Sequence, residues 1–186
     1  RGLKLHMASS GIDLRDAAHR AEVRQLVAMA DSAGMTLLLH LDPQRRGHEA
    51  ADIERFVAEV LDPFPRLEVI IAHLGGSGGY GRWTREVFRV LRAPRARDTL
   101  PGGVPFRFEL SAVALLEESE GVPPTTVEEG RMLAEDLRAA GLDRILFGTD
   151  WPVFTPAGYA DALSRLVPLT AEEWTVIVGN RATLLR

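Results

Sequence analysis

Met35-Thr36-Leu37-Leu38-Leu39-His40-Leu41 and Leu67-Glu68-Val69-Ile70-Ile71-Ala72-His73 decide how this chain folds. Each contains an unbroken apolar run, not an alternating one, and each carries a histidine at or next to its end. Continuous runs of this length fit strands buried on both faces, as in a parallel sheet. Three further strand-like runs cover 2–6, 106–113 and 144–149.

Helical patterns lie between them. Val23, Leu26, Val27 and Ala30 make a stripe over 16–33, with Gly34 placed to end it. Ile53, Phe56, Val57, Val60 and Leu61 do the same over 48–61, which Pro63 and Pro65 close. Trp83, Val87, Val90 and Leu91 mark 82–91. Thr126 with Glu129 and Thr170 with Glu173 read as capping boxes that open two more helices, the first closed by Gly141. Segments 92–105 and 119–125 read as loops. Strand alternating with helix implies βα units.

Lys4, His40, His73, Ser111 and Asp150 each fall near the C-terminal end of a strand, at intervals of 33 to 39 residues. Polar residues recurring at strand ends are expected when those ends face one site. Eight units at this period need about 290 residues, within the range of an eight-stranded βα barrel. The 186 residues here supply about five units. A five-stranded doubly wound sheet suits the length alone; the chemistry at the strand ends favours the barrel.

Composition narrows the chemistry. Acidic and basic residues are mixed, with a formal charge of −4, so no basic face for nucleic acid is expected. No run reaches the roughly 20 apolar residues of a membrane span. Without cysteine, disulfides and thiolate-held zinc are excluded, and a cytoplasmic location is expected. Lys4 is the only lysine, so arginine is abundant and each arginine is a weak signal. Two imidazoles, His40 and His73, and one carboxylate, Asp150, converge on one rim if the fold is a barrel. Imidazole and carboxylate suit Zn²⁺ and similar ions.

The segments Gly2-Leu-Lys-Leu-His6, Leu37-Leu-Leu-His-Leu-Asp42, Val69-Ile-Ile-Ala-His-Leu-Gly-Gly76 and Ile145-Leu-Phe-Gly-Thr-Asp-Trp-Pro152 resemble strands four, five, six and eight of the amidohydrolase superfamily. They are most similar to its amidohydrolase-related group of metal-dependent hydrolases and non-oxidative decarboxylases. The closing Val178-Gly-Asn-Arg-Ala-Thr-Leu-Leu185 resembles that group's last helix. The resemblance implies a TIM (β/α)8 barrel, of which residues 1–186 are the C-terminal part of one domain, and a divalent metal ion, zinc above others. His40 is then a metal ligand, Asp150 both metal ligand and catalytic base, and His73 the catalytic group that polarises substrate or meets a second metal. Lys4 corresponds to a lysine that some relatives use to bridge two metals. The family's strand-one His-x-His pair has no counterpart in this sequence, so strands one to three are expected upstream of Arg1.

Arg45, Arg46 and Arg82 are candidates to hold a substrate carboxylate, although in so arginine-rich a chain solvated surface is the stronger reading; Trp151 either walls the pocket or packs under the next helix. Glu109 and Ser111 share a strand face, and either is read as a satisfied polar residue of the barrel. Three functions follow. The first is a metal-dependent hydrolase or decarboxylase acting on a small carboxylated or cyclic substrate. The second is a truncated barrel serving as a binding or scaffold subunit. The third is a nucleotide-binding domain using the glycine loop Gly76–Gly81, although the acidic residue that should follow such a loop is missing. Exposed edge strands call for cover by upstream strands or a partner copy, so a homo-oligomer is expected beside the small-molecule substrate.

Overall fold

Strands β1 (Gly2–His6), β2 (Thr36–His40), β3 (Val69–Ile71), β4 (Arg107–Glu109) and β5 (Ile145–Leu146) form one parallel sheet in the order of the chain. These elements come from a computed structural model that describes residues 1–182; Thr183, Leu184 and Leu185 of the closing segment lie outside the described residues. A doubly wound sheet reverses its order at a switch point. Here each strand lies beside its chain neighbour, the order of a barrel wall. The same order removes the crevice on which the nucleotide reading of the glycine loop depends. Among the described residues β1 pairs only with β2 and β5 only with β4.

The helices are α1 (Ala17–Ser32), α2 (Ala50–Phe56), α3 (Arg82–Arg92), α4 (Val127–Ala140), α5 (Pro156–Leu166) and α6 (Ala171–Gly179). Local chemistry sets their ends. The Asp16 carboxylate accepts the Ala18 N–H at 2.7 Å to start α1, and Gly34 leaves it at φ +61°. Both expected capping boxes form, at Thr126/Glu129 and Thr170/Glu173. The single helix expected over 48–61 is instead α2 followed by a wider π-type turn, Val57–Leu61. Val57, Val60 and Leu61 of that turn are all buried in the core. Helix α5 was not expected. Thr155 caps it by accepting the Gly158 N–H at 3.2 Å, and Tyr159, Ala162 and Leu163 are its buried stripe. Helix α4 crosses the end of α5 closely, at Gly130, where a Cβ would fall 1.9 Å from the Leu166 carbonyl oxygen.

The two faces of the sheet differ. Leu37, Leu39, Val69, Ile71, Phe108 and Ile145 are buried in the main core. The opposite face is layered. Thr36 Oγ1 donates to Glu68 Oε2 at 2.7 Å and Arg107 Nη1 to Glu68 Oε1 at 3.3 Å at the N-terminal end. Leu38, Ile70 and Leu146 form a small apolar layer with Ala182. His6, His40 and Glu109 lie beyond it, at the C-terminal end, where alternation puts them on the face of Lys4, Leu38 and Arg107.

Candidate active site

Where the strands end, the chain turns abruptly. Asp42 after β2, His73 and Leu74 after β3, Ala112 after β4 and Asp150 after β5 all have left-handed backbones, with φ between 44° and 57°. Left-handed geometry costs a non-glycine residue about 1 kcal/mol or more. It recurs on four successive strand ends.

Parallel register places His6 directly opposite His40. Their rings stack with centroids 3.9 Å apart, and the His40 ring meets the His73 ring edge-on at 4.7 Å. Three imidazoles from β1, β2 and the end of β3 thus form one row. Burial, with the nearby His73, His6 and Lys4 adding to it, holds the His40 pKa down to about 3, so its ring is neutral at ordinary pH. His40 Nε2 is buried and has no hydrogen-bond partner. A neutral imidazole nitrogen with a free lone pair is the state a metal ligand requires.

The row continues through β4. His73 is 3% exposed, and its Nδ1 lies 3.1 Å from the Ser111 carbonyl oxygen and 3.0 Å from Ser111 Oγ. Ser111 Oγ donates to Glu109 Oε2 at 2.7 Å, and the Ser111 N–H donates to Glu109 Oε1 at 3.0 Å. The Glu109 carboxyl is pushed up by burial, against these hydrogen bonds. It rests on the backbone of Gly148, where a Cβ would fall 1.6 Å from Oε1. Glycine in Phe147-Gly148-Thr149-Asp150 is therefore what gives the carboxylate its seat.

Asp150 itself is half-buried in the turn after β5, and its carbonyl accepts the Val153 N–H at 2.9 Å. Among the described residues no hydrogen bond ties its carboxylate to His40 or His73, and no three His, Asp or Glu side chains are arranged as a ready-made ion site. Lys4 is exposed on the same face as His6. Arg45 lines a cleft of about 520 Å³ with Asp42, the glycine loop Ser77–Gly81 and the segment from Gly121 to Thr125. None of His6, His40 and His73 lines this cleft. Arg46, exposed, lies next to Gly11 and not in this cleft. Arg82 lines a separate depression between α3 and α4, with Arg85, Arg89 and Glu129. Trp151 is 69% exposed. The residue that sequence reasoning left undecided is Glu109. Its two-residue spacing from Ser111 was the available signal; its contact with His73 needed the fold.

The family model described as Amidohydrolase matches residues 1–177. Among solved structures, an uncharacterized TIM-barrel protein from Bordetella bronchiseptica is similar at 20% identity and a TM-score of 0.51, over 85% of this chain and 48% of its own. The 5-carboxyvanillate decarboxylase LigW from Sphingomonas paucimobilis is similar at 15% identity and a TM-score of 0.53, over 96% and 56%. The chain thus spans about half the length of these structures. At such identities the likeness shows the barrel fold alone. Curated proteins give no match.

Proposed function

The chain belongs to the Amidohydrolase family, and from that premise we propose that it carries half of the active site of a metal-dependent hydrolase or non-oxidative decarboxylase. One observation carries the reading: His40 and His73, on adjacent parallel strands, touch at the C-terminal rim, and His40 presents a buried, neutral, unpartnered Nε2. Barrel enzymes place their chemistry at that rim.

The donor set fits a divalent ion in kind. His40 supplies an imidazole nitrogen, and Asp150, on the same rim, supplies a carboxylate. It is short in number, because catalytic zinc sites use three protein ligands and the described residues assemble none of that size. Donors from another part of the barrel complete the set. In this reading His40 and Asp150 hold the ion, zinc foremost, and Asp150 also takes a proton from the attacking group. A bound divalent ion supplies Lewis acidity toward water or a substrate oxygen. His73 faces the substrate, and Arg45 beside the rim cleft is suited to a substrate carboxylate. The substrate is a small carboxylated or cyclic molecule.

Metal analysis of the full-length protein beside its His40→Ala, Asp150→Ala and His73→Ala variants tests this. The two ligand variants should lose affinity by more than the ~10–100-fold that an outer partner of a metal ligand is worth, while His73→Ala retains metal and loses turnover. Equal, tightly bound metal in all four proteins would overturn the assignment, and no metal in any of them would favour a scaffold without chemistry.

A further inference from the structure

We propose that Glu109, acting through the hydroxyl of Ser111, is a positioning residue that fixes His73 as the Nδ1–H tautomer. The inference rests on the reading that His73 meets the substrate, and it specifies what His73 offers there: a lone pair at Nε2, an acceptor and not a donor.

Proton counting leads to it. His73 Nδ1 has two oxygen neighbours, the Ser111 carbonyl at 3.1 Å and Ser111 Oγ at 3.0 Å. The carbonyl only accepts. The hydroxyl has one proton, and with Glu109 ionised its carboxylate takes that proton at 2.7 Å, the shortest of these contacts. Neither oxygen has a proton to give to Nδ1, so Nδ1 must carry its own and donate it. In a neutral ring Nε2 is then bare. Without the carboxylate the hydroxyl proton would be free to turn toward Nδ1, and the ring would place its own proton on Nε2. The tautomer is thus set two groups away from the ring.

The surroundings hold this arrangement still. Ser111 is 1% exposed and His73 3% exposed, so water does not compete. Glu109 also accepts the Ser111 N–H at 3.0 Å and the His73 N–H at 3.5 Å. Those bonds tie the carboxylate to the backbones of both residues it orders. Gly148 lets it lie flat against the neighbouring strand end. Such outer partners set the orientation and basicity of an imidazole that does chemistry.

The test reads the two nitrogens of His73 directly, by ¹⁵N–¹H correlation of the histidine side chains. Spectra are taken in mildly alkaline solution without metal or substrate, with His73 assigned by His73→Asn. The protein should show a pyrrole-type Nδ1 and a pyridine-type Nε2. Glu109→Gln is nearly isosteric. The Ser111 N–H cannot rotate, so the amide oxygen must face it and the amide NH₂ must face the hydroxyl. That frees the hydroxyl proton, and the two His73 signals should exchange types. Adding Ser111→Ala removes the competing proton while the Ser111 carbonyl remains, so Glu109→Gln/Ser111→Ala should return to the original pattern. A pyridine-type Nδ1 in the unaltered protein overturns the proposal, as does Glu109→Gln with unchanged signals or a double variant that fails to revert. Because neither metal nor turnover enters, this result is independent of the metal analysis above.

Discussion

Replacing Asp136 with alanine should destabilise the chain by about 3 kcal/mol, and the structure shows where the loss arises. The carboxylate sits on α4, buried, and accepts from Tyr80 Oη at 2.9 Å, Arg85 Nε at 3.1 Å and Arg92 Nη2 at 2.8 Å. Tyr80 is 1% exposed, so its hydroxyl would be left buried without a partner, at about 1–3 kcal/mol. The two guanidiniums keep 27% and 22% of their side-chain surface in solvent and recover part of their hydration, so each adds about 0.5–1 kcal/mol. The carboxylate's own desolvation, no longer incurred, offsets some of this. Urea unfolding followed by tryptophan fluorescence measures the difference, and the midpoint of thermal unfolding should fall by about 6–12 °C. Tyr80→Phe alone should cost about 1 kcal/mol, and the double variant less than the sum. A loss under about 0.5 kcal/mol for Asp136→Ala would refute the view that this cluster ties the glycine loop to α4.

Other perturbations have equally definite outcomes. Gly130→Ala gains about 1 kcal/mol of helix propensity, but its Cβ lands 1.9 Å from the Leu166 carbonyl; the overpacking, about 1–3 kcal/mol, should win, seen as a lower urea midpoint. Tyr159→Phe strands the Leu110 carbonyl, which accepts from Tyr159 Oη at 2.6 Å, and the Val113 N–H, which donates to it at 2.9 Å; about 1–3 kcal/mol should be lost, with hydrogen exchange quickened at Val113. Stability should fall with acid through His40. Its folded pKa is depressed, so below the ordinary 6.5 the unfolded chain takes up the proton first, and the contribution is lost down to about 3 at up to ~1.4 kcal/mol per pH unit. In His40→Gln the slope of unfolding free energy against pH over that window should be shallower.

The sheet was legible because its signal is local. Five apolar runs, each flanked by turn residues, gave five strands, and their order followed from the polar residue at each end. Their lengths were overread. The run 106–113 forms a strand only over Arg107–Glu109, and Ser111 beyond it lies against His73. Helix α5 has a readable start in Thr155-Pro156, with Tyr159, Ala162, Leu163 and Leu166 behind it at helical spacing. The π-type turn after Phe56 had none, since the same valines and leucine fit an ordinary helix. At the site, His40 and His73 stood out as histidines ending buried strands. The part played by Glu109 depends on which strand lies beside β3 and on the absence of a side chain at residue 148, and neither is written in the spacing of its own neighbours.

The left-handed residues at the strand ends have a bearing on how this chain would respond to selection. Ala112 spends about 1 kcal/mol holding its backbone at φ 57°, and Asp42, His73, Leu74 and Asp150 stand in similar conformations. A screen for heat resistance alone would therefore drift toward glycine at the rim, where relief is available at single positions. A screen for the proposed activity would defend those positions whose backbone the site depends on, His73 and Asp150 first among them. Variants enriched by one screen and depleted by the other would mark which of these strained positions serve the proposed activity and which do not.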